Sequence, residues 1–235
     1  MQSSPKKTIL VLGATGRCGS AIVRRALAAS HIFFLPRKEK DMLSGCMYVR
    51  NIEKASKIFP PQPNLEIIQG ALGDLETLKG AMEGADAVLS GLASFSPPHN
   101  QMSDAVENVI KAAEALKRPT SRYIHYGLCG LRDPDADMKT MRFINNLFSP
   151  SKFGPAMEDH RKVLRLLKTS SLQWTVFMTG MMQYDRPVGT PYIAGSPEQV
   201  PQARLYHRIG VLDAADACLG VLEENGPRFL HLAYN

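Results

Sequence analysis

The feature that most constrains the fold is a glycine-rich turn near the start of the chain. Residues 9–12 form a continuous apolar run, which is typical of a parallel strand buried on both faces. Gly13, Gly16 and Gly19 follow at G-x-x-G-x-x-G spacing, and apolar residues then recur at helical spacing. Strand, glycine turn and helix in this order predict the mononucleotide-binding start of a doubly wound α/β fold.

The three glycines have separate expected roles in this motif. Gly13 allows the tight turn, Gly16 lets the backbone approach a pyrophosphate, and Gly19 lets the helix pack against its strand. The helix N-terminus then offers unpaired N–H groups and a positive dipole end to an anion. The alternative is a glycine-rich turn without a ligand, and the strand-then-helix context argues against it.

Length and composition limit the class of protein. A chain of 235 residues with 44% hydrophobic residues fits one large α/β domain. No apolar run reaches the ~18 residues of a membrane span, and the short polar N-terminus leaves no room for a signal peptide. The net charge of +6 is dispersed, without a basic and aromatic stripe, so we expect neither nucleic acid nor membrane as a partner.

The cysteines indicate the compartment. They lie far apart, without metal-ligand or redox-motif spacing, which favours reduced thiols in a cytoplasmic protein and no metal site. They are Cys18, Cys46, Cys129 and Cys218.

The second strand has two candidates. Residues 31–35 lead to Arg37, and residues 46–50 end at Arg50. An acid at the tip of this strand binds a ribose hydroxyl, whereas an Arg accommodates the 2′-phosphate of NADP. Both candidates supply Arg, so the sequence favours NADP(H) over NAD. Spacing from Gly13 favours Arg37; if Arg50 is correct, about a dozen residues near 33–46 form an insertion, expected as a surface loop.

Strands and helices alternate along the remaining chain, which predicts a parallel sheet covered on both faces in one Rossmann-type domain over residues 1–235. Two segments rich in Gly and Pro, 127–155 and 183–204, are expected to form a small substrate-facing lobe. The predicted strands are 65–69, 87–89 (ending near 92–93), 122–126, 174–178 and 229–232, and the predicted helices are 75–82, 102–116, 157–168 and 213–223.

Three motifs together resemble a known family, the atypical short-chain dehydrogenase/reductases, in their NAD(P)H-binding, NmrA-like branch. The motifs are Gly13-Ala-Thr-Gly16-x-x-Gly19, residues 49–55 (Val-Arg-Asn-x-Glu-Lys-Ala) and residues 64–70 (Asn-Leu-Glu-Ile-Ile-Gln-Gly). The helix from Glu158 is similar to that of the biliverdin-IX-beta reductase (flavin reductase) group, and residues 207–217 resemble the family's late helix. The resemblance covers most of the chain and favours Arg50 over Arg37.

The resemblance implies a set of cofactor-binding residues. Arg50 would meet the 2′-phosphate, Leu92 and Ala93 would flank the adenine ribose or the nicotinamide, and residues 178–181 would lie over the nicotinamide. The phosphates would be lined by Gly13, Thr15, Gly16, Arg17, Cys18 and Gly19, and Ala71, Leu72 and Thr179 complete the set.

The chain departs from the family at its proton-handling positions. The family's Gly-Asp after the third strand is Gly70-Ala71 here, with Asp74 three residues later, and its Ser-Ser after the fifth strand is Gly127-Leu128. The family's Arg-Pro-Gly or Pro-Pro-His motif after the sixth strand is replaced by residues 178–180 (Met-Thr-Gly). No Tyr-x-x-x-Lys occurs. The pyrophosphate loop is kept while the usual proton donors are missing.

Two residues are the catalytic candidates. His160 could donate or accept a proton near neutral pH, or it could be a surface helix residue capped by Asp159 or solvent. Tyr126 lies on a central strand and could instead be a core residue whose hydroxyl needs a partner, with His125 facing the opposite side. The methionines at 178, 181 and 182 would suit a planar apolar substrate or simply fill the core.

Three hypotheses of function follow. The first is an NADPH-dependent reductase, an oxidoreductase acting on a small conjugated or aromatic carbonyl, quinone or flavin-like substrate. The second is a non-redox isomerase, cyclase or dehydratase on the same scaffold with His160 as acid or base. The third is a cofactor-sensing regulator that binds a protein partner.

Overall fold

The structure is a computed structural model that describes residues 7–28, 45–93, 100–116, 122–128, 153–196, 199–200, 208–222 and 228–234. The candidate strand 31–35, Arg37, Cys129 and most of the predicted loop 127–155 lie outside these residues. The predictions made for them therefore stay predictions.

Strands and helices alternate along the described chain, as the sequence predicts. They are β1 Ile9–Leu12, α1 Arg17–Ala28, β2 Gly45–Val49, α2 Ile52–Ile58, β3 Leu65–Gln69, α3 Leu75–Met82, β4 Ala87–Ser90, α4 Gln101–Ala115, β5 Arg122–Leu128, α5 Phe153–Thr169, β6 Gln173–Thr179, β7 Met181–Gln183, β8 Tyr192–Gly195, β9 Arg208–Gly210, α6 Val211–Gly220 and β10 Arg228–Tyr234.

The main sheet has the strand order β3-β2-β1-β4-β5-β6-β10-β8. All neighbouring strands from β3 to β10 are parallel, and β8 pairs antiparallel with β10 at the edge. The order reverses between β1 and β4, where ligands of such sheets bind beyond the carboxyl ends of the strands. This arrangement confirms the predicted Rossmann-type fold.

The second strand of the sheet is Gly45–Val49, which pairs with β1 and β3. Arg50 therefore stands at its tip, and Asn51 caps α2 by accepting a hydrogen bond of 2.7 Å from the Lys54 N–H. The expected insertion over 33–46 is wrong at its end, because Cys46 is already inside β2.

Side chains alternate between the two faces of the sheet, so each strand contributes to two separate cores. Ile9 and Val11 pack beneath α1, α2 and α6, whereas Leu10 and Leu12 pack beneath α3, α4 and α5. In β5 the same alternation turns the side chain of Tyr126 to the opposite face of the sheet from that of His125. This division decides which candidate side chains can share a site.

Several predicted boundaries differ from the structure. The predicted loop 127–155 is wrong at both ends, because β5 continues to Leu128 and α5 begins at Phe153, four residues before the predicted start. Pro155 falls in the first turn of α5, where its missing N–H has no helical acceptor to lose. The sequence did not predict β8, which lies within 183–204. It also did not predict that β7 and β9, at the two ends of this segment, pair in a two-stranded ribbon.

None of the helices in the described ranges combines the length and the apolar character that crossing a bilayer requires.

Candidate functional site

The glycine turn after β1 is held by close backbone packing. Gly13 adopts φ of +70°, and the Gly16 N–H donates a 2.8 Å hydrogen bond to the Gly13 carbonyl. A Cβ at Gly19 would collide with the Gly13 carbonyl oxygen and lie 2.7 Å from its carbonyl carbon. A Cβ at Gly91, just after β4, would collide with the Gly19 backbone in turn. The backbones of the turn, α1 and the end of β4 therefore approach one another closely through glycines.

The start of α1 is open to a ligand. Gly16 and Arg17 are exposed, and the first helical hydrogen bond runs from the Ser20 N–H to the Gly16 carbonyl at 2.9 Å. The N–H groups of residues 17–19 precede that bond and have no helical acceptor. Such N–H groups at a helix N-terminus bind pyrophosphate oxygens, so the residues present fit a dinucleotide.

Leu92 forms the side of the turn that faces β4. Its Cδ2 would lie 3.0 Å from a Cβ placed on Gly13, so the side chain packs against the turn itself. Ala93, the next residue, is exposed. Leu92 thus borders the glycine turn, and the cofactor contacts that the resemblance implies for Leu92 and Ala93 stay predictions.

A cavity of about 390 Å³ lies beside the tip of β2. Asn108 Nδ2 donates a 2.8 Å hydrogen bond to the Leu72 carbonyl, and the Tyr48 hydroxyl donates one of 2.8 Å to the Ala71 carbonyl. The exposed Arg50 thus shares a cavity with the residues that follow β3. Its lining consists of Arg50, Ala71, Leu72, Gly73, Asn100, Gln101, Asp104, Glu107 and Asn108.

Asp74 does not replace the family's missing aspartate. Its carboxylate caps α3, accepting hydrogen bonds from the Thr77 hydroxyl at 2.6 Å and the Thr77 N–H at 3.1 Å. These two bonds lower the pKa of Asp74. The carboxylate is therefore committed to the helix start.

A second cavity, of about 560 Å³, lies between the start of α1 and the β7/β9 ribbon. The Arg17 guanidinium stacks on the Tyr184 ring, with Cζ 4.7 Å from the ring centroid. Burial raises the pKa of Cys18 to about 11, so this thiol is protonated at neutral pH. The lining residues are Arg17, Met181, Met182, Gln183, Tyr184, Asp185 and Arg208.

The two catalytic candidates lie on opposite faces of the sheet. Tyr126 packs on the α1 and α6 face, where burial raises the pKa of its hydroxyl well above the usual value. His160 lies on α5 against the other face, with Nδ1 3.3 Å from His125 Nε2. The two side chains therefore face different sides of the sheet, and a catalytic role for either one stays a prediction. Neither lines either of the two cavities described above.

His160 is a buried residue, which excludes the alternative of a surface histidine. It is 5% exposed, and burial lowers its pKa to about 4, while burial and the neighbouring His160 lower the pKa of His125. Both rings are neutral near pH 7. Asp159 instead accepts hydrogen bonds from the N–H groups of Met102 and Ser103, at 3.0 and 3.1 Å, at the start of α4.

Glycine replaces the family's serine at position 127, which lies within β5, where neighbouring side chains leave little space. A Cβ at Gly127 would lie 2.8 Å from Val176 Cγ1 and 3.1 Å from Met178 Sδ. The hydroxyl of Thr179 donates to the Gly127 carbonyl at 3.2 Å, and Thr179 is 1% exposed. The cofactor role expected of Thr179 is thus not available to its hydroxyl, which is bonded inside the core.

Sequence reasoning missed three residues near the second cavity. Arg208 and Tyr184 line it, and the buried Asp213 carboxylate accepts a 3.0 Å hydrogen bond from the Gly189 N–H behind it. The three-residue strands and irregular turns that carry Arg208 and Tyr184 have no periodic pattern. The glycine at position 189 was the one residue there that indicated a defined turn in the sequence, and in the structure it adopts φ of +98°.

Comparison with known proteins places these features in a family. The sequence profile of the NAD(P)H-binding family matches residues 13–225, from the first glycine of the turn almost to the end. The bifunctional pinoresinol-lariciresinol reductase 1 of Thuja plicata is 25% identical over 201 residues, which cover 83% of this chain and 54% of the reductase. The chain spans about half the length of the curated relatives it matches.

Two solved structures share the fold at low sequence identity. The anaerobillin reductase ChuY of Escherichia coli O157:H7 has a TM-score of 0.68 and 18% identity, with 97% of each chain covered. A wide-type short-chain dehydrogenase/reductase of Veillonella parvula DSM 2008, solved with NADP, has a TM-score of 0.68 and 17% identity, with 97% of this chain and 95% of that chain covered. With the family profile spanning nearly the whole chain, this protein belongs to the NAD(P)H-binding family.

Proposed function

We propose that this chain is an NADPH-dependent reductase of a small conjugated or aromatic carbonyl, quinone or flavin-like substrate. The observation that carries the proposal is the position of Arg50. It stands at the tip of β2 and shares a cavity with Ala71 and Leu72, and no acidic residue occupies the strand tip. An Arg at this point accommodates a 2′-phosphate.

The roles of the chain's residues follow from the geometry. The N–H groups of residues 17 and 18 bind the pyrophosphate, and the Arg50 guanidinium binds the 2′-phosphate with charge-assisted hydrogen bonds. Leu92 supports the glycine turn from the side of β4. When bound, the cofactor supplies the hydride, and the protein supplies orientation and a binding surface.

The missing proton donors favour a particular kind of substrate. The described lining of the larger cavity contains no histidine and no cysteine, and burial raises the pKa of its hydroxyl, on Tyr184. Reduced quinones and flavins are stabilised anions that can take a proton from water, whereas a simple ketone gives a strongly basic alkoxide that needs a donor. The cavity opens to water, and Met181 and Tyr184 give it an apolar wall.

The cofactor assignment is tested by binding titrations with NADPH and NADH. Arg50→Gln should weaken NADPH binding by about tenfold or more and leave NADH binding within about twofold, because only the 2′-phosphate meets the guanidinium. Lys57→Gln is the matched control, since it removes one exposed positive charge from the neighbouring helix α2. Equal losses for NADPH and NADH would contradict the role of Arg50.

The reaction is tested by NADPH consumption against a panel of quinones and flavins. Turnover with at least one of them is expected. A protein that binds NADPH but is silent against the panel would contradict the reductase and favour a cofactor-sensing regulator. Turnover of a substrate without any nicotinamide would favour non-redox chemistry instead.

A further inference from the structure

We propose that the cavity beside the β7/β9 ribbon selects planar aromatic substrates that carry a carboxylate, and that Arg208 is the residue that recognises the charge. This inference rests on the proposed reductase function and names the class of its substrate. It is carried by the arrangement of side chains on the ribbon and by the balance of charge around the cavity.

The ribbon has one packed face and one open face. Met181 pairs with Arg208, and Met182 pairs with Ile209, in parallel register. Partners in register point to the same face, so Met182 and the 1% exposed Ile209 join the core while Met181 and Arg208 face outward together. The outward face therefore places a guanidinium beside a flexible apolar side chain.

Exposed apolar surface is concentrated at this place. Among the described residues, most of the large hydrophobic side chains that are exposed lie between 181 and 193, including Met181 at 56% and Tyr184 at 46%. Exposed apolar surface gathered next to a cleft marks a binding surface rather than a packed core. The thioether of Met181 and the ring of Tyr184 suit the face of an aromatic ligand.

The charge of the cavity favours an anion. Its described lining carries the guanidinium groups of Arg17 and Arg208 and the single carboxylate of Asp185. Arg17 is stacked on Tyr184 at the cofactor end, whereas Arg208 is exposed and pairs with no carboxylate among the described residues. Arg186 does not line the cavity, and it donates hydrogen bonds to Thr190 Oγ1 at 3.3 Å and to Gln183 Oε1 at 3.2 Å. Arg208 is thus placed for a planar, bidentate carboxylate.

The test compares 2-naphthoate with 2-naphthamide, which share shape and differ in charge, by calorimetric titration with and without NADP⁺. Naphthoate should bind about tenfold more tightly than naphthamide. Arg208→Gln should remove that preference by weakening naphthoate alone, and Arg208→Lys should restore part of it. Lys162→Gln, which removes an exposed charge on α5, is the control and should change neither affinity.

A second variant should act in the opposite direction. Asp185→Asn removes the carboxylate from the described lining, so it should tighten naphthoate binding by a few fold and leave naphthamide unchanged. Equal affinities for the two compounds in the wild-type protein, or a naphthoate affinity that Arg208→Gln does not change, would overturn the inference. These outcomes differ from failure of the reductase proposal, which would show as absent NADPH binding or absent quinone turnover.

Discussion

The glycine turn and the segment that follows β6 are held in place in different ways. The turn is fixed by backbone packed on backbone, since Gly13, Gly19 and Gly91 leave no space for a Cβ between them. Beyond β7, which pairs with β9, residues 184–190 are held by side-chain contacts, including the bond from the Gly189 N–H to Asp213 and the stacking of Arg17 on Tyr184. A substitution can remove a side-chain contact with little effect on the fold. Where backbone packs on backbone, an added side chain displaces the backbone itself.

This difference matches the chemistry expected of each region. A pyrophosphate is the same in every nicotinamide cofactor, so a rigid backbone cradle suits it. Substrates differ between enzymes. A surface of methionine, tyrosine and arginine side chains on short strands can differ between enzymes as well, without a change of fold. If the comparison is correct, substitutions in the turn should abolish binding and destabilise the fold, and substitutions near the ribbon should act locally.

The largest effect is expected from Gly19→Ala. The new Cβ would collide with the Gly13 backbone, so the turn must open, and we expect a loss of about 3 kcal/mol or more in the free energy of unfolding. NADPH binding should fall about a hundredfold or more, because the N–H groups of the turn lose their arrangement. Chemical denaturation and a cofactor titration measure the two effects.

Gly80→Ala is the control for that substitution. A Cβ at Gly80 meets nothing within 4 Å, and the residue lies inside α3. The change should therefore stabilise the protein by about 0.5–1 kcal/mol. If the two glycine variants behaved alike, the close packing of the turn would not be what fixes it.

An intermediate effect is expected from Asp213→Ala. Removing the carboxylate leaves the Gly189 N–H without its acceptor, which should cost about 1–2 kcal/mol and should be confined to the neighbouring segment. Hydrogen exchange at Gly189 should accelerate, while exchange in β1 stays the same. Asp213→Asn keeps an acceptor oxygen and should retain most of the protection. A global loss of protection in Asp213→Ala would contradict the local character of these contacts.

The smallest effect concerns the buried histidine pair, which belongs to neither region. The pKa of His160 is about 4 in the fold against 6.5 for the unperturbed group, so the unfolded chain binds more protons between these values. Stability should thus be complete above about pH 6.5 and fall as the pH is lowered, by about 1 kcal/mol near pH 5.5.

His160→Gln should reduce that pH dependence in urea denaturation measured from about pH 5 to 7. Tyr123→Phe keeps both histidines and serves as the control; its hydroxyl lies 3.5 Å from His125 Nδ1. If His160→Gln retained the full slope, the pH dependence would not come from His160.

The sequence predicted the glycine turn, its strand and its helix because that motif is contained in a dozen consecutive residues and depends on local conformation. It also predicted the parallel sheet, because β1 and its neighbours are continuous apolar runs. The second strand was left between two candidates, and the pairing of Gly45–Val49 with β1 and β3 decides it. The sequence of one strand does not indicate which distant strand it pairs with.

The candidate site was predicted less completely for the same physical reason. Arg50, Ala71 and Leu72 were named, and they line one cavity. Tyr126 and His160 were named as separate candidates, and their positions relative to each other became known only from the structure, because β5 turns Tyr126 to one face and α5 packs on the other. Arg208 lies in the segment 207–217 that resembles the family's late helix, but a three-residue strand has no periodicity that would have pointed to its side chain.

The most direct test of the central claim is a crystal structure of the protein with NADPH. We expect pyrophosphate oxygens about 3 Å from the N–H groups of residues 17 and 18, and the 2′-phosphate on the Arg50 guanidinium. Density for the cofactor elsewhere, or a 2′-phosphate directed to solvent with Arg50 turned away from it, would contradict the account.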